Sequence, residues 1–590
     1  MAGKTLDLEG LISKDSLGVR IAQDFNTWNI RRDSKMREWT ELRKYIFATD
    51  TTQTSNKTLP WKNKTTRPKL TQLRDNLHAN YMKSLFPKRK WAIWEAFDKK
   101  SARPMNIKNI ENYTMWMVER SDFKATVSKL LLDWIDYGNC FATVEWNDER
   151  QRLSTHNQVG YVGSRALRLS PLDVVMNPIA DSFTNTPKIV RTITSLGELK
   201  EKLERETSDA DRDTVLETFN YLVKIRQNSN AFSGELSQKD ELFRIDGFDS
   251  FQAYLASTYV EVLTFMGDLY DVESDTFYRN HLISVADRHK LLTKKPNPSF
   301  LGRPNIYHTG WRIRQDNLWA MGPLDNLVGM QYRIDHLENL KADVFDLTAF
   351  PPLKIRGYIE DFTWGPFEKI YVGDEGDVEI VSPAVEALNT NNEIELLEQK
   401  MEEMAGAPKE ALGFRTPGEK TKYEVQRLEN AASRIFQNKI EQFEEQIIEP
   451  LLNAMLELAQ RNMPTQEVGV FNEEFNIQSF RSLSKEDIAG VGMIRPVAAK
   501  HFAEKAEKIQ NATAFFSSPP GQDPAVMTHV SGIKEAQMFM ELLELEGFDL
   551  TTPFVRITEQ GEAQRLMNTQ DEDTAMQAGQ PTGLTPDDVG

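Results

Sequence analysis

Apolar side chains recur three and four positions apart across residues 325–349, and they do so again across residues 389–405. This spacing is typical of amphipathic α-helices, because positions three and four apart lie on one face of a helix. The apolar positions of the first stretch are Leu327, Met330, Ile334, Leu337, Leu340, Val344 and Leu347. At about 1.5 Å per residue, the first stretch predicts a helical rod of roughly 37 Å.

The residues between the two rods, 350–383, combine short extended runs with glycine and proline, which predicts a small β insert. Pro351 ends the first rod, because proline lacks the backbone donor that a helix needs. A loop of glycine, proline and basic residues, 406–420, follows the second rod. It leads into a third helical stripe, in which we expect Pro450 to kink the helix near Glu449 rather than to end it.

Strand-like and helical segments alternate in residues 1–324, which predicts a mixed α+β region ahead of the rods. The apolar spacing predicts a single helix over residues 17–48, and residues 166–175 have the pattern of a strand. Cys140, the one cysteine of the chain, follows a Gly-Asn turn into a strand, so we expect a packed thiol rather than a nucleophile. A short helix capped by Ser484 is predicted after the third helical stripe.

This order of elements resembles the portal (head-to-tail connector) proteins of tailed bacteriophages, most like those of short-tailed phages. In that family two stem helices flank a clip that contains β-strands, a tunnel loop follows, and a kinked helix returns to the wing. Shorter matches lie outside this core. Residues 171–178 (PLDVVMNP) look like the family's wing strand, residues 322–324 (GPL) like the turn before its first stem helix, and residues 494–497 (IRPV) with 501–504 (HFAE) like the start of its crown.

The resemblance implies an α+β, mostly helical portal fold that assembles as a ring. In such a ring we expect neighbouring subunits to bury the apolar stripes of the two rods. The implied segments are an N-terminal wing (1–324), a first stem helix (325–349), a clip (350–383), a second stem helix (384–405), a tunnel loop (406–420), a long kinked helix returning to the wing (421–482), a helical crown (483–567) and an acidic tail (568–590). The tail lacks an apolar period, and its composition predicts disorder in isolation.

For function, the resemblance implies a viral portal: a ring, expected to be a dodecamer, at a capsid vertex, through which DNA is packaged and ejected. The implied partners are double-stranded DNA held without sequence preference, the terminase large subunit, head–tail adaptor or tail proteins, and the major capsid and scaffolding proteins. The implied location is the virion, at the head–tail junction, after assembly in the host cytoplasm. No cofactor, small-molecule substrate or direct membrane insertion is expected.

The tunnel loop would face the channel of such a ring. Its candidate phosphate contacts are Lys409, Arg415 and Lys420. Cations on a loop suit transient, sequence-independent contact with the DNA backbone. In the alternative, these cations pair with stem carboxylates of a neighbouring subunit, such as Glu395, Glu398 and Glu402.

The clip would project from the capsid, where it would bind the packaging motor first and the tail adaptor later. Its candidate partner-binding residues are Lys354, Arg356 and Lys369. These cations would meet either phosphates or the acidic surface of a partner protein, and we favour the partner protein.

Length and charge describe a large acidic protein. The chain has 590 residues, which predicts two to four domains, and a formal net charge of −17. An acidic average surface repels nucleic acid, so an acidic channel lining would let a duplex slide without sticking. No apolar run is long enough to span a bilayer.

One segment departs from this average charge. Residues 54–108 hold fourteen Lys or Arg against three acidic residues, with aromatic residues among them. Basic residues interleaved with aromatics are typical of proteins that bind single strands. We favour the alternative of a solvated or protein-facing surface, because residues 70–85 carry a helical apolar face and residues 91–94 alternate like a strand.

No catalytic or metal site is expected. Residues 413–421 (GFRTPGEKT) imitate a phosphate-binding P-loop, but Glu419 stands where the P-loop lysine must follow the glycine. The eight histidines include no HExxH motif and no pair at helical spacing, which makes metal binding by them improbable. We therefore do not expect an enzyme.

Two other functions stay open. A tail or baseplate structural protein would also be large and oligomeric, although that function gives no reason for two rods around a β insert. A nucleic-acid-processing enzyme is favoured only by the basic segment 54–108, and nuclease and ATPase assays would test it.

Overall fold

The structure is a computed structural model with an α+β fold, the class that the sequence predicts. It describes residues 16–86, 91–148, 161–180, 182–206, 219–223, 259–271, 275–286, 288, 290–297, 306–356, 377–381, 389–405, 436–472 and 477–496. The chain divides into two compact units, one formed by Met1–Gln466 with Ser482–Ala499 and the other by Glu467–Arg481 with Lys500–Gly590.

The first helical region consists of two helices, α1 (Ser16–Arg31) and α2 (Asp33–Phe47), which meet at Arg32. The prediction of one helix over residues 17–48 is wrong, because the buried guanidinium of Arg32 is held by backbone carbonyls at the break. These acceptors are the carbonyl oxygens of Pro171, Leu172 and Val174, at 2.8, 2.7 and 2.6 Å. Burial lowers the pKa of Arg32 to about 9.

Three helices and a strand follow in the chain. They are α3 (Lys69–Leu85), β1 (Ala92–Ala96), α4 (Pro104–Arg120) and α5 (Phe123–Asp136). The predicted apolar face of α3 is confirmed, since its four leucines are buried. The predicted alternation on β1 is also confirmed, because Trp94 is buried and Ile93 beside it is exposed.

Two antiparallel sheets hold eight of the sixteen described strands. The first has the strand order β3-β2-β9 and consists of β2 (Asn139–Asp148), β3 (Val162–Leu169) and β9 (Ile306–Gly310). The second follows chain order and consists of β4 (Val174–Met176), β5 (Lys188–Ser195), β6 (Tyr259–Asp271), β7 (Thr276–Ala286) and β8 (Lys290–Pro296), with α6 (Leu196–Glu206) between β5 and β6. The prediction of a single strand over residues 166–175 is wrong. The chain turns toward Arg32 after β3 and continues as β4 in the second sheet.

Aromatic packing joins α2 to the first sheet and to the strands near the rods. The ring of Trp39 lies edge-on to Tyr137 and Trp319, with centroids 5.3 and 5.6 Å apart. Cys140 is fully buried on β2, with its Sγ 3.9 Å from the carbonyl oxygen of Thr309. Burial raises the pKa of this thiol, so the expected packed thiol is confirmed.

The two predicted rods and part of the β insert are confirmed. A hairpin of β10 (Arg312–Arg314) and β11 (Asn317–Met321) and a short 3-10 turn (Asp325–Leu327) precede α7 (Val328–Ala349), the first rod. The insert contributes β12 (Leu353–Arg356) and β13 (Asp377–Ile380), which pair antiparallel, and the second rod is α8 (Asn391–Ala405). Residues 357–376 of the insert lie outside the described residues.

The helix after the tunnel loop is described from residue 436. It contains a π-helical segment, Glu444–Ile448, directly before α9 (Glu449–Asn462), whose second residue is Pro450. The helix therefore continues through Pro450, as expected. A π-helical turn shifts the hydrogen-bond register of the helix. The helix can then include a proline, whose backbone nitrogen cannot donate a hydrogen bond.

The last described strands are β14 (Gln466–Asn472) and β15 (Ile477–Leu483), which form a two-stranded sheet, and β16 (Gly492–Pro496), which pairs antiparallel with β1. The short helix expected at Ser484 is wrong, because residues 485–488 form a turn. Asp487 closes this turn by accepting from the Ser484 N–H and hydroxyl at 2.9 and 2.8 Å. The expected crown beyond residue 496 and the acidic tail lie outside the described residues.

Candidate functional site

A row of polar side chains runs along the first rod beside its apolar stripe. Its members stand four residues apart on α7 and are Gln331, Asp335, Asn339 and Asp343. Residues 56–70, here called the arm, lie along this row and hydrogen-bond to all four side chains. The spacing of four is the sequence signal that could have revealed the row, since such positions are neighbours on a helix surface.

The middle of the arm is held by Asn339 and Asp335. Asn339 accepts from the Thr65 N–H at 2.9 Å and donates to the Thr65 carbonyl at 2.8 Å, as a neighbouring strand would. Asp335 accepts from the Arg67 N–H at 3.0 Å and from the Thr66 hydroxyl at 2.9 Å. Burial raises the pKa of Asp335, although these hydrogen bonds oppose the shift.

The start of the arm is held by Asp343 and His336. The Asp343 carboxylate accepts from the N–H groups of Lys62 and Asn63 at 2.8 and 2.9 Å. Burial would raise the pKa of Asp343, but the hydrogen bonds outweigh burial and hold the pKa below its ordinary value. Trp61 Nε1 donates to His336 Nδ1 at 3.1 Å, so this ring nitrogen of His336 is unprotonated.

The end of the arm connects to the second rod through ion pairs. Arg67 Nε lies 2.9 Å from Glu398 Oε1, and Lys69 Nζ lies 2.6 Å from Glu402 Oε1. Lys69 and Glu402 are both buried. These two cations of the basic segment 54–108 therefore face protein, which agrees with the interpretation favoured for that segment.

The same ion pairs bear on the alternative in which cations of residues 406–420 pair with carboxylates of the rods in a neighbouring subunit. Two of the three stem carboxylates in that alternative, Glu398 and Glu402, have cation partners in their own chain, whereas Glu395 is exposed. A loop cation of a neighbouring subunit would have to displace Arg67 or Lys69 to reach them. The loop cations themselves lie outside the described residues, namely Lys409, Arg415 and Lys420.

The apolar stripe of the first rod is mostly covered by the chain itself. Leu327, Ile334, Leu337 and Val344 are buried, and α7 packs against α2, α3 and α8. We expected neighbouring subunits to bury this stripe, and that expectation is wrong for these four positions. Periodicity shows that a helix needs apolar partners, but it does not show which segment of the chain supplies them.

The end of the first rod and the β insert leave a different apolar surface open, here called the rod-end surface. Its six side chains each expose between 41% and 56% of their area: Phe345, Leu347, Phe350, Ile355, Ile380 and Val381. Large apolar side chains that stay exposed are typical of interaction sites. Within the described residues of the rods and insert, this surface is where a partner would gain most from apolar contact.

Two of the three expected clip cations are on β12. Lys354 and Arg356 are exposed and lie opposite Glu379 and Asp377 of β13. Lys354 Nζ is 2.8 Å from Glu379 Oε2, and both side chains are exposed. An exposed pair of this kind contributes only about 0–1 kcal/mol, so a partner anion can replace Glu379. Lys369 lies outside the described residues.

The helix that is described from residue 436 is anchored by aromatic contacts. The ring of Phe436 stacks on Tyr81 with centroids 4.7 Å apart, and Phe443 contacts Trp134 at 5.1 Å. Phe443 and Trp134 are fully buried. The described part of this helix is therefore fixed against α3 and α5.

The described residues contain neither a cluster of metal ligands nor a membrane-spanning helix. No group of three or more His, Cys, Asp or Glu side chains in that part of the chain could hold a metal ion. Among the helices described, none is both long and apolar enough to cross a membrane. No family model matches the chain, and no curated protein sequence shows significant similarity to it.

Proposed function

We propose that this chain is a portal subunit, which forms a ring at a capsid vertex through which double-stranded DNA is packaged and ejected. One observation carries the proposal: two helical rods flank a β ribbon along the chain, and the apolar side chains of the rod-end surface, at the end of the first rod and on the ribbon, are exposed. We assign a second copy of this chain as the occupant of that surface.

The free energy available at this surface supports assembly. Burying a Phe, Leu or Ile side chain contributes about 1.5–3 kcal/mol relative to full exposure. Six side chains that are each about half exposed therefore offer several kcal/mol for each contact between neighbours. In a ring every subunit makes this contact twice, and a contact between two different patches closes into a ring when its rotation permits.

The other parts of the proposal follow the expected segment order. The ring is a dodecamer, and the tunnel loop faces the channel, with Lys409, Arg415 and Lys420 touching DNA phosphates. The clip binds the terminase large subunit and later an adaptor or tail protein through Lys354, Arg356 and Lys369. The outer part of the ring meets the major capsid and scaffolding proteins. A separate ATPase supplies the force, so the chain needs no cofactor.

The mass of the purified chain tests this proposal. We expect mass photometry to show a ring for the natural sequence and subunits for the variant Phe345→Ser/Leu347→Ser/Phe350→Ser. The matched control is Ile30→Ser/Ile179→Ser, which removes exposed apolar side chains from α1 and from the residues after β4, and it should assemble. A monomer at high concentration, or full assembly of the rod-end variant, would contradict the proposal.

A further inference from the structure

A second exposed apolar surface lies at the ribbon of β1 and β16. Four large apolar side chains there each expose between 45% and 61% of their area: Ile93, Phe97, Met105 and Val491. Phe97 and Val491 lie side by side, because the Phe97 N–H donates to the Val491 carbonyl at 2.9 Å. Met105 follows in the first turn of α4.

Cations are close in sequence to Phe97 and Met105. Within residues 97–108, four exposed cations stand against a single acidic residue, Asp98, and the cations are Lys99, Lys100, Arg103 and Lys108. The Asp98 carboxylate accepts from the Ser101 N–H at 2.6 Å. None of the four cations forms an ion pair with a carboxylate of the described chain. This surface, here called the basic tip, is therefore locally cationic on a chain whose net charge is −17.

Polar contacts, one of them partly buried, hold the basic tip in one arrangement. Ser101 is buried, and its hydroxyl accepts from the Val491 N–H at 2.8 Å. The Arg495 guanidinium pairs with Glu95 across the ribbon at 2.8 Å. A surface that is already ordered loses little conformational entropy when a partner binds.

The edges of the ribbon are closed to strand addition. On β16, the Asn453 amide donates to the Ile494 carbonyl at 3.0 Å and accepts from the Ile494 N–H at 2.8 Å. On β1, the Trp94 N–H donates to the Glu111 carboxylate at 3.2 Å. A partner therefore binds the exposed face through side chains rather than by extending the ribbon.

We propose that the basic tip binds an amphipathic segment of a partner protein, in which apolar side chains are flanked by Asp or Glu. The apolar centre of the tip fits the apolar side chains, and the surrounding cations fit the carboxylates. Three of the four apolar residues, Ile93, Met105 and Val491, have no ring on which a base could stack, so a protein segment suits the tip better than single-stranded nucleic acid. This proposal does not depend on ring formation.

Fluorescence anisotropy with the full chain tests the proposal. The probes are three synthetic helical peptides: one with a Leu/Phe face flanked by Glu, one with the same face flanked by Lys, and one rich in Glu without an apolar face. We expect only the first peptide to bind, and we expect Lys99→Glu/Lys100→Glu and Phe97→Ser each to weaken it about tenfold. The matched controls, Lys83→Glu and Ile179→Ser, change exposed residues outside the tip and should leave the affinity unchanged.

Three outcomes would overturn the proposal. The first is that the Glu-flanked peptide does not bind, or binds all variants equally. The second is that a single-stranded oligonucleotide or phosphatidylserine vesicles bind more tightly than the peptide and lose binding in the tip variants, which would assign the tip to nucleic acid or membrane. The third is that the tip variants change only the oligomeric mass of the chain, which would assign the tip to a second copy.

Discussion

Lys69 and Glu402 form a buried ion pair, with Nζ 2.6 Å from Oε1, between the first residue of α3 and the last turn of α8. The pair joins the second rod to the N-terminal helices across 333 positions of sequence. Each charge stabilises the other, because an unpaired charge buried away from water is strongly unfavourable. The second rod is therefore positioned by its own chain before any neighbour binds.

Removing one member of this pair should loosen the second rod. Glu402→Gln removes the nearer carboxylate from the buried Lys69 ammonium and leaves it Glu398 Oε2 at 3.9 Å. We therefore expect the free energy of local opening of α8 to fall by up to roughly 3–5 kcal/mol. Hydrogen exchange of the α8 amides measures this change. Glu403→Gln, an exposed neighbour, is the matched control, and Lys69→Met/Glu402→Leu should recover most of the loss. Wild-type exchange in Glu402→Gln would show that the pair does not hold the rod.

The arm should open when Asp343 is removed. Asp343→Ala leaves the N–H groups of Lys62 and Asn63 without their acceptor, which we expect to lower the opening free energy there by about 1–3 kcal/mol. Amide exchange at Lys62 and Asn63 measures the effect. Asp346→Ala is the control, because Asp346 accepts an exposed hydrogen bond from the Asn63 side chain rather than from the backbone of the arm. Equal effects of the two substitutions would argue against the assigned role of Asp343.

The stabilisation by Asp343 should depend on pH. Its pKa in the folded chain lies below the ordinary value, about 3.9, so the unfolded chain binds the proton more readily. The contribution is then fully present above the ordinary value and is lost as the pH falls through the folded pKa. We expect the difference between wild type and Asp343→Ala to be constant from neutral to mildly acidic pH and to shrink below about pH 4. A difference that persists in acid would refute this linkage.

The tunnel-loop cations should control contact with DNA rather than assembly. We expect Lys409→Ala/Arg415→Ala/Lys420→Ala to form rings that bind duplex DNA more weakly, with a salt dependence reduced by up to about 3 in the slope of log K against log salt. Lys83→Ala is the matched control for the loss of a cation. DNA binding, packaging and retention equal to the natural chain would exclude the contact role.

The rods could be predicted from sequence because their signal is local. The apolar period of α7 and α8 is explicit, and Pro351 marks the end of the first rod. The break at Arg32 could not be predicted, because its carbonyl acceptors begin 139 positions later in the chain. The same long-range contact explains why the prediction of a single strand over residues 166–175 is wrong, since the carbonyls that bind Arg32 lie at residues 171–174.

The site was predictable in part. Lys354 and Arg356 are exposed on a strand, as a binding role requires, but the cross-strand partner of Lys354 follows only from the register of β12 with β13. The polar row on α7 was missed, because Asn339 meets Thr65 across 274 positions of sequence. Contacts between segments far apart in the sequence also explain why the chain itself buries Ile334 on the apolar stripe of α7, which the apolar spacing alone does not show.

End-on electron microscopy of the purified chain tests the central proposal most directly. We expect closed rings, twelve subunits around a hole wide enough for a DNA duplex, and loss of these rings in the rod-end variant. Single subunits at high concentration, or an assembly without a duplex-sized hole as a tail or baseplate protein would give, would contradict it.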